Sequence, residues 1–462
     1  MLRLLCLLVS GALLGGCASY GVVENAPGPV AQDEVSYSLR AVRQRQSSEN
    51  ALVLAFSGGG TRAAALSYGV LKALRDTAVP GADGDTRLLD AVQSISSVSG
   101  GSFTAAYYGL HGDGIFDDFE TVFLRRDVEG ALLQRVMNPF RWFSRTGRTD
   151  TAVAYYEQAV FQGATFADLA RRDAPMIVIN ASDFSRGVRF SFVQDYFNLL
   201  CSDLSSFPVA RAVTASSAVP VLFDPVVVKN YPDCGSEVPA WLPEAQRRAA
   251  DDPELAFTVA GLESYFDRDR RRYIHLVDGG ITDNLGLRAL YEVIEISGGI
   301  KEFGKHFQRE APRRLALISV NAATDPEAKM DQTTAAPSLG EAINAMSDVQ
   351  LHRYNAATIG LMQKSLKRWA QELSTPQRPV EPYFILLDFH GIQEQAKRHF
   401  LNQTPTSFSL TGAQVDALIA AGGELLRQHP EFRRLLRDIA SDVRQAQASP
   451  PTDARPLSTL AP

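Results

Sequence analysis

Three short apolar runs, each closed by a glycine-marked turn, constrain this chain more than any other feature. Ala51–Phe56 (ALVLAF) leads into Ser57-Gly58-Gly59-Gly60-Thr61-Arg62. The mostly apolar Leu88–Val92 leads into Ile95–Ser102 (ISSVSGGS), and Tyr273–Val277 (YIHLV) leads into Asp278-Gly279-Gly280. Unbroken apolar runs of this length suit strands buried on both faces of a parallel sheet. Helical patterns follow: Ala63–Arg75 carries Leu66, Val70 and Leu74 at four-residue spacing, FTAAYYGL follows Ser102, and Leu287, Leu290 and Tyr291 follow Asn284. Strand, glycine turn and helix, repeated, predict an α/β fold with an open, mostly parallel sheet. Turns after the C-termini of parallel strands share one sheet edge, where ligands bind.

That edge then holds a serine, an acid and a cradle of backbone N–H groups. Ser99 is the candidate nucleophile, because hydrolases expose a serine at the top of a sharp strand-to-helix turn. The usual form is G-x-S-x-G; here it is Ser97-Val98-Ser99-Gly100-Gly101, with Ser97 in place of the first glycine. The Gly58–Gly60 turn directs N–H groups at one spot, at the positive end of the following helix. It is no P-loop, lacking a terminal Gly-Lys-Ser/Thr, and Ala63 makes it a poor dinucleotide fingerprint. It suits an oxyanion, or it is a tight turn that packs a helix on a sheet. Arg62 either adds positive charge there or ties the loop down. Asp278 is the candidate base. A carboxylate is a weaker base than imidazole at neutral pH, so a Ser–Asp pair needs direct contact and a dry pocket.

Further core strands are expected at Ala174–Ala181 (APMIVINA), Arg314–Val320 and Tyr383–Phe389, with RFSFV at 189–193 as a hairpin arm. Ala212–Pro225 reads as a helix stopped by Pro220. Lys229–Arg272 reads as an irregular insertion with one or two exposed helices, and Glu341–Leu373 as a long helix. Phe140, Trp142 and Phe143 beside Arg141 suit core packing or a lipid interface. Ala448–Pro462 is proline-rich and is expected to be disordered.

The N-terminus has one basic residue, Arg3, then a short apolar run and small residues. The run is too short to cross about 30 Å of hydrocarbon and reads as a secretory signal. Leu14-Gly15-Gly16-Cys17 resembles the lipobox of bacterial lipoproteins. The resemblance implies a signal peptide over 1–16, lipid on Cys17, a polar tether over 17–49 and a membrane anchor made of lipid alone. Ala18 after the cysteine resembles the outer-membrane sorting pattern, for a Gram-negative source. Cys201 and Cys234 remain for an exported domain, as a disulfide or as two separate buried thiols. A net charge of -6 without a long basic block argues against nucleic acid as a partner. No cysteine–histidine spacing or acidic loop suggests a metal.

GGGTR at Gly58–Arg62, SVSGGS at Ser97–Ser102, SSAVP at Ser216–Pro220 and DGGITDN at Asp278–Asn284 stand in the order of the patatin-like phospholipase family. The chain resembles that family over about Leu52–Leu290, with the Arg314 strand included, and SVSGGS is also similar to the cytosolic phospholipase A2 group. The resemblance implies a three-layer α/β/α fold and a Ser–Asp dyad that cleaves acyl esters of membrane lipids, without a cofactor or metal. By motif position the nucleophile is Ser99, the base Asp278 and the oxyanion glycines Gly58, Gly59 and Gly60, with Arg62, Gly100 and Gly101 beside them. The expected division is a catalytic domain over 50–325, a helical extension with one added strand over 326–446, and a tail over 447–462. Two other readings stay open: a Ser–His–Asp esterase, and a non-catalytic, membrane-tethered binding domain of the same fold. The histidines at 306, 352, 390, 399 and 429 sit in no telling context, and His275, three residues before Asp278 on a strand, points to the opposite face.

Overall fold

The computed structural model describes residues 21–28, 37–39, 49–81, 84–136, 147–170, 174–220, 222–232, 234, 239, 241–306, 311–325 and 333–448. Eight strands form the main sheet: β1 Asn50–Phe56, β2 Val92–Val98, β3 Met176–Asp183, β4 Val188–Ser191, β5 Val226–Lys229, β6 Tyr273–Val277, β7 Arg314–Val320 and β8 Glu381–Leu387. Their order is β8-β7-β1-β2-β3-β6-β5, with β4 also paired to β3. Strands β8, β7, β1, β2 and β3 run parallel. β4 and β6 run antiparallel to β3, and β5 antiparallel to β6.

Alternation along the strands sorts the side chains into two apolar layers, one on each face. Leu52, Leu54 and Phe56 of β1, Ala316, Ile318 and Val320 of β7, and Tyr383, Ile385 and Leu387 of β8 join one cluster. Val53 and Ala55, Leu315 and Leu317, and Phe384 join the other. The first layer is covered by helices α1 Gly60–Arg75, α2 Gly100–His111, α3 Val209–Ser216, α6 Gly412–Gln428 and α7 Pro430–Ala448. The second is covered by α4 Arg288–Ile296 and α5 Leu339–Leu373 through Tyr291, Ile294, Met362, Leu366 and Trp369. The fold is therefore a three-layer α/β/α sandwich with a mostly parallel sheet. Each large side chain sealed in these layers contributes about 1.5–3 kcal/mol. Among the described residues no helix is long and apolar enough to cross a membrane.

The structure changes or extends four expectations. Leu88–Ala91 is a 3-10 turn, and the strand is the serine-rich Val92–Val98 itself. The C-terminal extension packs onto the sandwich: its strand β8 completes the sheet edge, and α6 lies so close on α1 that a Cβ at Gly69 would sit 2.2 Å from the Ile419 carbonyl oxygen. Part of the expected tether is docked. Ala26–Pro27 pairs with Ser202–Asp203, Asn25 donates to Lys229 O at 2.8 Å, and Glu24 pairs with Arg211. Edge strand β5 ends at Lys229, where the expected insertion begins, and the insertion's two helices, Leu242–Ala249 and Pro253–Glu263, bury Leu242, Ala245, Leu255 and Val259 against each other. Residues 1–16, Cys17, Met137–Phe143 and 449–462 lie outside the described residues.

Candidate active site

The site forms where two strands meet end to end. β4 runs along one edge of β3, from Asn180↔Ser191 to Asp183↔Val188. The other edge is shared. β2 pairs with it in parallel up to Val98↔Asn180, and β6 pairs with it antiparallel down to Val277↔Ser182. The residue after each strand end, Ser99 and Asp278, therefore arrives opposite Ala181 from opposite directions. Asp278 was expected at the C-terminal end of a parallel strand. It reaches the same place on an antiparallel one, which enters from beyond the edge of the parallel sheet.

Ser99 caps α2 with φ 48° and ψ −122°. Only a tightly held turn keeps a residue with a Cβ in that region, at a cost of about 1–3 kcal/mol. Its hydroxyl donates to Asp278 Oδ2 at 2.9 Å. Asp278 Oδ1 accepts the Gly280 N–H at 2.7 Å. Both side chains are buried. Burial pushes Asp278 up to about 6, against the opposing pull of the Gly280 N–H and the Ser99 hydroxyl. That is the basicity a carboxylate needs to act on a serine, and at neutral pH the group is still mostly ionised. The acceptor of the Ser99 hydroxyl is a carboxylate and not an imidazole. His275 is exposed on its strand.

The glycine loop lies against the elbow. A Cβ at Gly58 would sit 3.3 Å from Ser99 Cβ, and one at Gly100 only 2.0 Å from the Gly60 carbonyl oxygen. Loop and elbow thus touch through main chain, which a side chain at position 100 would prevent. The Gly58 N–H was expected among the oxyanion donors, but it is donated to Asn284 O at 2.9 Å. Among the described residues, the N–H groups of Gly59, Gly60 and Gly100 are donated to none. Gly101 serves close packing, since a Cβ there would meet Ser57 O at 2.7 Å. Ala63 and Ser97, the two departures from the expected pattern, are both buried, and Ser97 Oγ donates to Val178 O at 3.2 Å.

Arg62 ties the loop down. It is buried, and Nε donates to Ala322 O at 2.8 Å, Nη1 to Thr404 O at 2.7 Å and Nη2 to Thr406 Oγ1 at 2.9 Å. Burial lowers its pKa to about 10, which leaves it charged at neutral pH. Thr61 N–H adds a bond to Ser407 O at 2.9 Å. The C-terminal segment thus holds the loop that faces Ser99.

Several residues of this site were given no role from the sequence, although two of them, Ser216 and Asp283, lie in quoted motifs. Ser216 Oγ accepts the Ser99 N–H at 2.8 Å and donates to Asn180 O at 2.6 Å. Ser182 Oγ donates to Asp278 O at 2.8 Å. Asp283, the second acid of DGGITDN, does not share in the dyad. Fully buried, it accepts the N–H groups of Leu287 and Ala289 at 3.2 Å and caps α4. Burial raises it to about 7. Cys201 and Cys234 are joined as a disulfide, with Cα atoms 5.3 Å apart.

The sequence model of the patatin-like phospholipase family matches residues 54–291. No curated protein sequence matches the chain. Among solved structures the chain is similar to human GIVD cytosolic phospholipase A2, with 12% identity, 93% of this chain and 69% of that chain covered, and a TM-score of 0.44. The same human enzyme in complex with methyl gamma-linolenyl fluorophosphonate gives 13% identity, 92% and 70% coverage, and a TM-score of 0.39.

Proposed function

The chain belongs to the patatin-like phospholipase family, and on that premise we propose that it hydrolyses acyl esters of lipids, as a phospholipase A or lysophospholipase, through a Ser99–Asp278 dyad. The observation that carries the reading is the 2.9 Å hydrogen bond from Ser99 Oγ to a buried, basic Asp278. Ser99 Oγ attacks the ester carbonyl carbon while its proton passes to Asp278 Oδ2. The carbonyl oxygen becomes an oxyanion and is taken by the N–H groups of Gly59 and Gly60, at the N-terminal end of α1. As the tetrahedral intermediate collapses, the departing alcohol takes the proton from Asp278 and the acyl group stays on Ser99. Water, deprotonated by the same carboxylate, then releases the fatty acid and restores the serine. Exposed Val219 and Ile281 neighbour in the chain Ala218 and Gly280, which are bonded to Asp278, and they suit an acyl chain.

Cys17 as a lipid anchor, export and an outer-membrane location belong to the same reading, because an anchored enzyme meets its substrate at the membrane. Metabolic labelling with palmitate, lost in Cys17→Ala, tests the anchor. For the chemistry, purified protein should hydrolyse a short-chain p-nitrophenyl ester, and Ser99→Ala should not. Lipid mass spectrometry on vesicles treated with both proteins identifies the bond cleaved. No turnover on any phospholipid, lysophospholipid or neutral ester would sink the proposal.

A further inference from the structure

We infer that Ser216 is a positioning residue of the dyad, holding the strained elbow of Ser99 at the point where β2 gives way to β6. The inference rests on the reading of Ser99 as nucleophile. Asn180 is the last residue of the parallel ladder with β2, and its carbonyl accepts the Ser216 hydroxyl at 2.6 Å. A serine hydroxyl has one proton, and a carbonyl can only accept, so that proton is committed. The lone pairs of Ser216 Oγ therefore receive the Ser99 N–H at 2.8 Å and the Ser102 hydroxyl at 3.0 Å, with Ser102 as donor.

The main chain beside it grips the other half of the dyad. Ser216 O accepts the Gly279 N–H at 3.0 Å, and Ala218 O accepts the Asp278 N–H at 2.9 Å. The last carbonyls of a helix have no partner inside it; here Ser216 O, the last of α3, is satisfied by Gly279, and Ala218 O, two residues beyond the helix, by Asp278. The end of α3 and the turn just after it thus hold Ser99 by a side chain and Asp278 by main chain, which fixes the distance between them. Ser99 needs such a hold, because φ 48° persists in a residue with a Cβ only where the surroundings impose it. Ser216 and Asn180 are completely buried. Removing the hydroxyl leaves the Ser99 N–H and the Asn180 carbonyl without their partner. The elbow is then free to relax and turn Ser99 Oγ away from Asp278, and a displacement of about 1 Å at a reacting group costs on the order of 100-fold in rate.

The test uses the full-length protein with Ser216→Ala and, as control, Ser217→Ala. Ser217 is also buried, but its hydroxyl donates to Val213 O within its own helix and touches neither half of the dyad. A fluorophosphonate labels the nucleophile, the end point counts competent sites, and the rate per site reports the elbow. Ser216→Ala should label about 10- to 100-fold more slowly per site, and Ser217→Ala at the wild-type rate, although both lower Tm. If Ser216→Ala does not fold, Ser216→Cys, which keeps the outline with a weak donor and acceptor, is read in its place with the same expectation. A rate per site within twofold of wild type, or an equal slowing in Ser217→Ala, overturns the inference. Labelling that persists in Ser99→Ala defeats the dyad itself. Labelling lost there, with Ser216 variants unimpaired, defeats only the role of Ser216.

Discussion

Replacing Asp278 by asparagine should abolish catalysis and stabilise the protein. Burial raises Asp278 from the ordinary 3.8 of an aspartate to about 6. The folded state therefore holds the proton more tightly than the unfolded chain does. Between about pH 4 and about pH 6 the unfolded chain ionises first, so stability at this site falls as pH rises and stays low above that window. At about 1.4 kcal/mol for each pH unit, the penalty near neutral pH is about 3 kcal/mol at most. Asparagine removes the charge and keeps both bonds: Oδ1 accepts from Gly280, and Nδ2 donates to Ser99 Oγ. A chain of this length unfolds with an entropy of about 1 kcal/mol/K, so the expected gain is roughly 1–3 °C in Tm. Scanning calorimetry of both proteins near pH 7.5 and near pH 4 is the assay. The variant should melt higher at the upper pH, and the gap should close towards pH 4, where folded wild type already carries the proton. Wild-type kcat/KM should fall below about pH 6, as the base is protonated. A variant that melts below wild type near pH 7.5, or a gap that does not shrink on acidification, refutes the argument that burial of charge makes Asp278 a base.

Arg62→Lys keeps the charge but replaces a three-armed donor with a single ammonium, so kcat should fall about tenfold or more while KM changes little; unchanged steady-state kinetics would show that the loop holds its shape without Arg62. Gly100→Ala puts a Cβ against the Gly60 carbonyl and parts the loop from the elbow, so activity should fall by about 100-fold with far-UV circular dichroism intact; full activity would mean the two need not touch. Cys201→Ser opens a link spanning 33 residues and should cost about 2–4 kcal/mol in denaturant unfolding, with fluorophosphonate labelling at wild-type rate in the folded protein; a slowed label would tie the disulfide to the dyad.

The strands and glycine turns were legible because strands buried on both faces leave unbroken apolar runs. The direction of β6 was not. YIHLV has the same composition in a parallel or an antiparallel strand, and only its pairing with β3 and β5 decides. The strand at Val92–Val98 was misplaced because its serines looked like turn residues. Their polarity is satisfied sideways: Asn180 Nδ2 donates to Ser96 Oγ at 3.0 Å, and Ser97 Oγ donates to Val178 O. Ser99 and Asp278 could be named because their chemistry shows in local motifs. Ser216 could be quoted as part of SSAVP, but its partners lie 117 residues before it and 36 residues before it in the chain, so its role emerges only when the strands meet.

The end-to-end meeting of β2 and β6 also bears on why a carboxylate contacts the serine directly. An imidazole between serine and acid spans a gap, and it brings a pKa near neutrality with it. Here the strand ends bring Ser99 Oγ and Asp278 Oδ2 to 2.9 Å, and no side chain fits between them. The basicity must then come from dryness, which makes the cover over the site part of its chemistry. That cover is not confined to the family-matched span of 54–291. The three acceptors of Arg62 are Ala322, Thr404 and Thr406, and the acceptor of Thr61 N–H is Ser407. All lie beyond that span, on the turn after β7 and on the segment between β8 and α6. A chain cut at the end of the matched span would keep Ser99 and Asp278. It would lose the groups that accept the hydrogen bonds of a buried guanidinium and hold the glycine loop against Ser99. The C-terminal segment is therefore a structural part of the candidate active site, joined to its glycine loop through Arg62 and the Thr61 N–H.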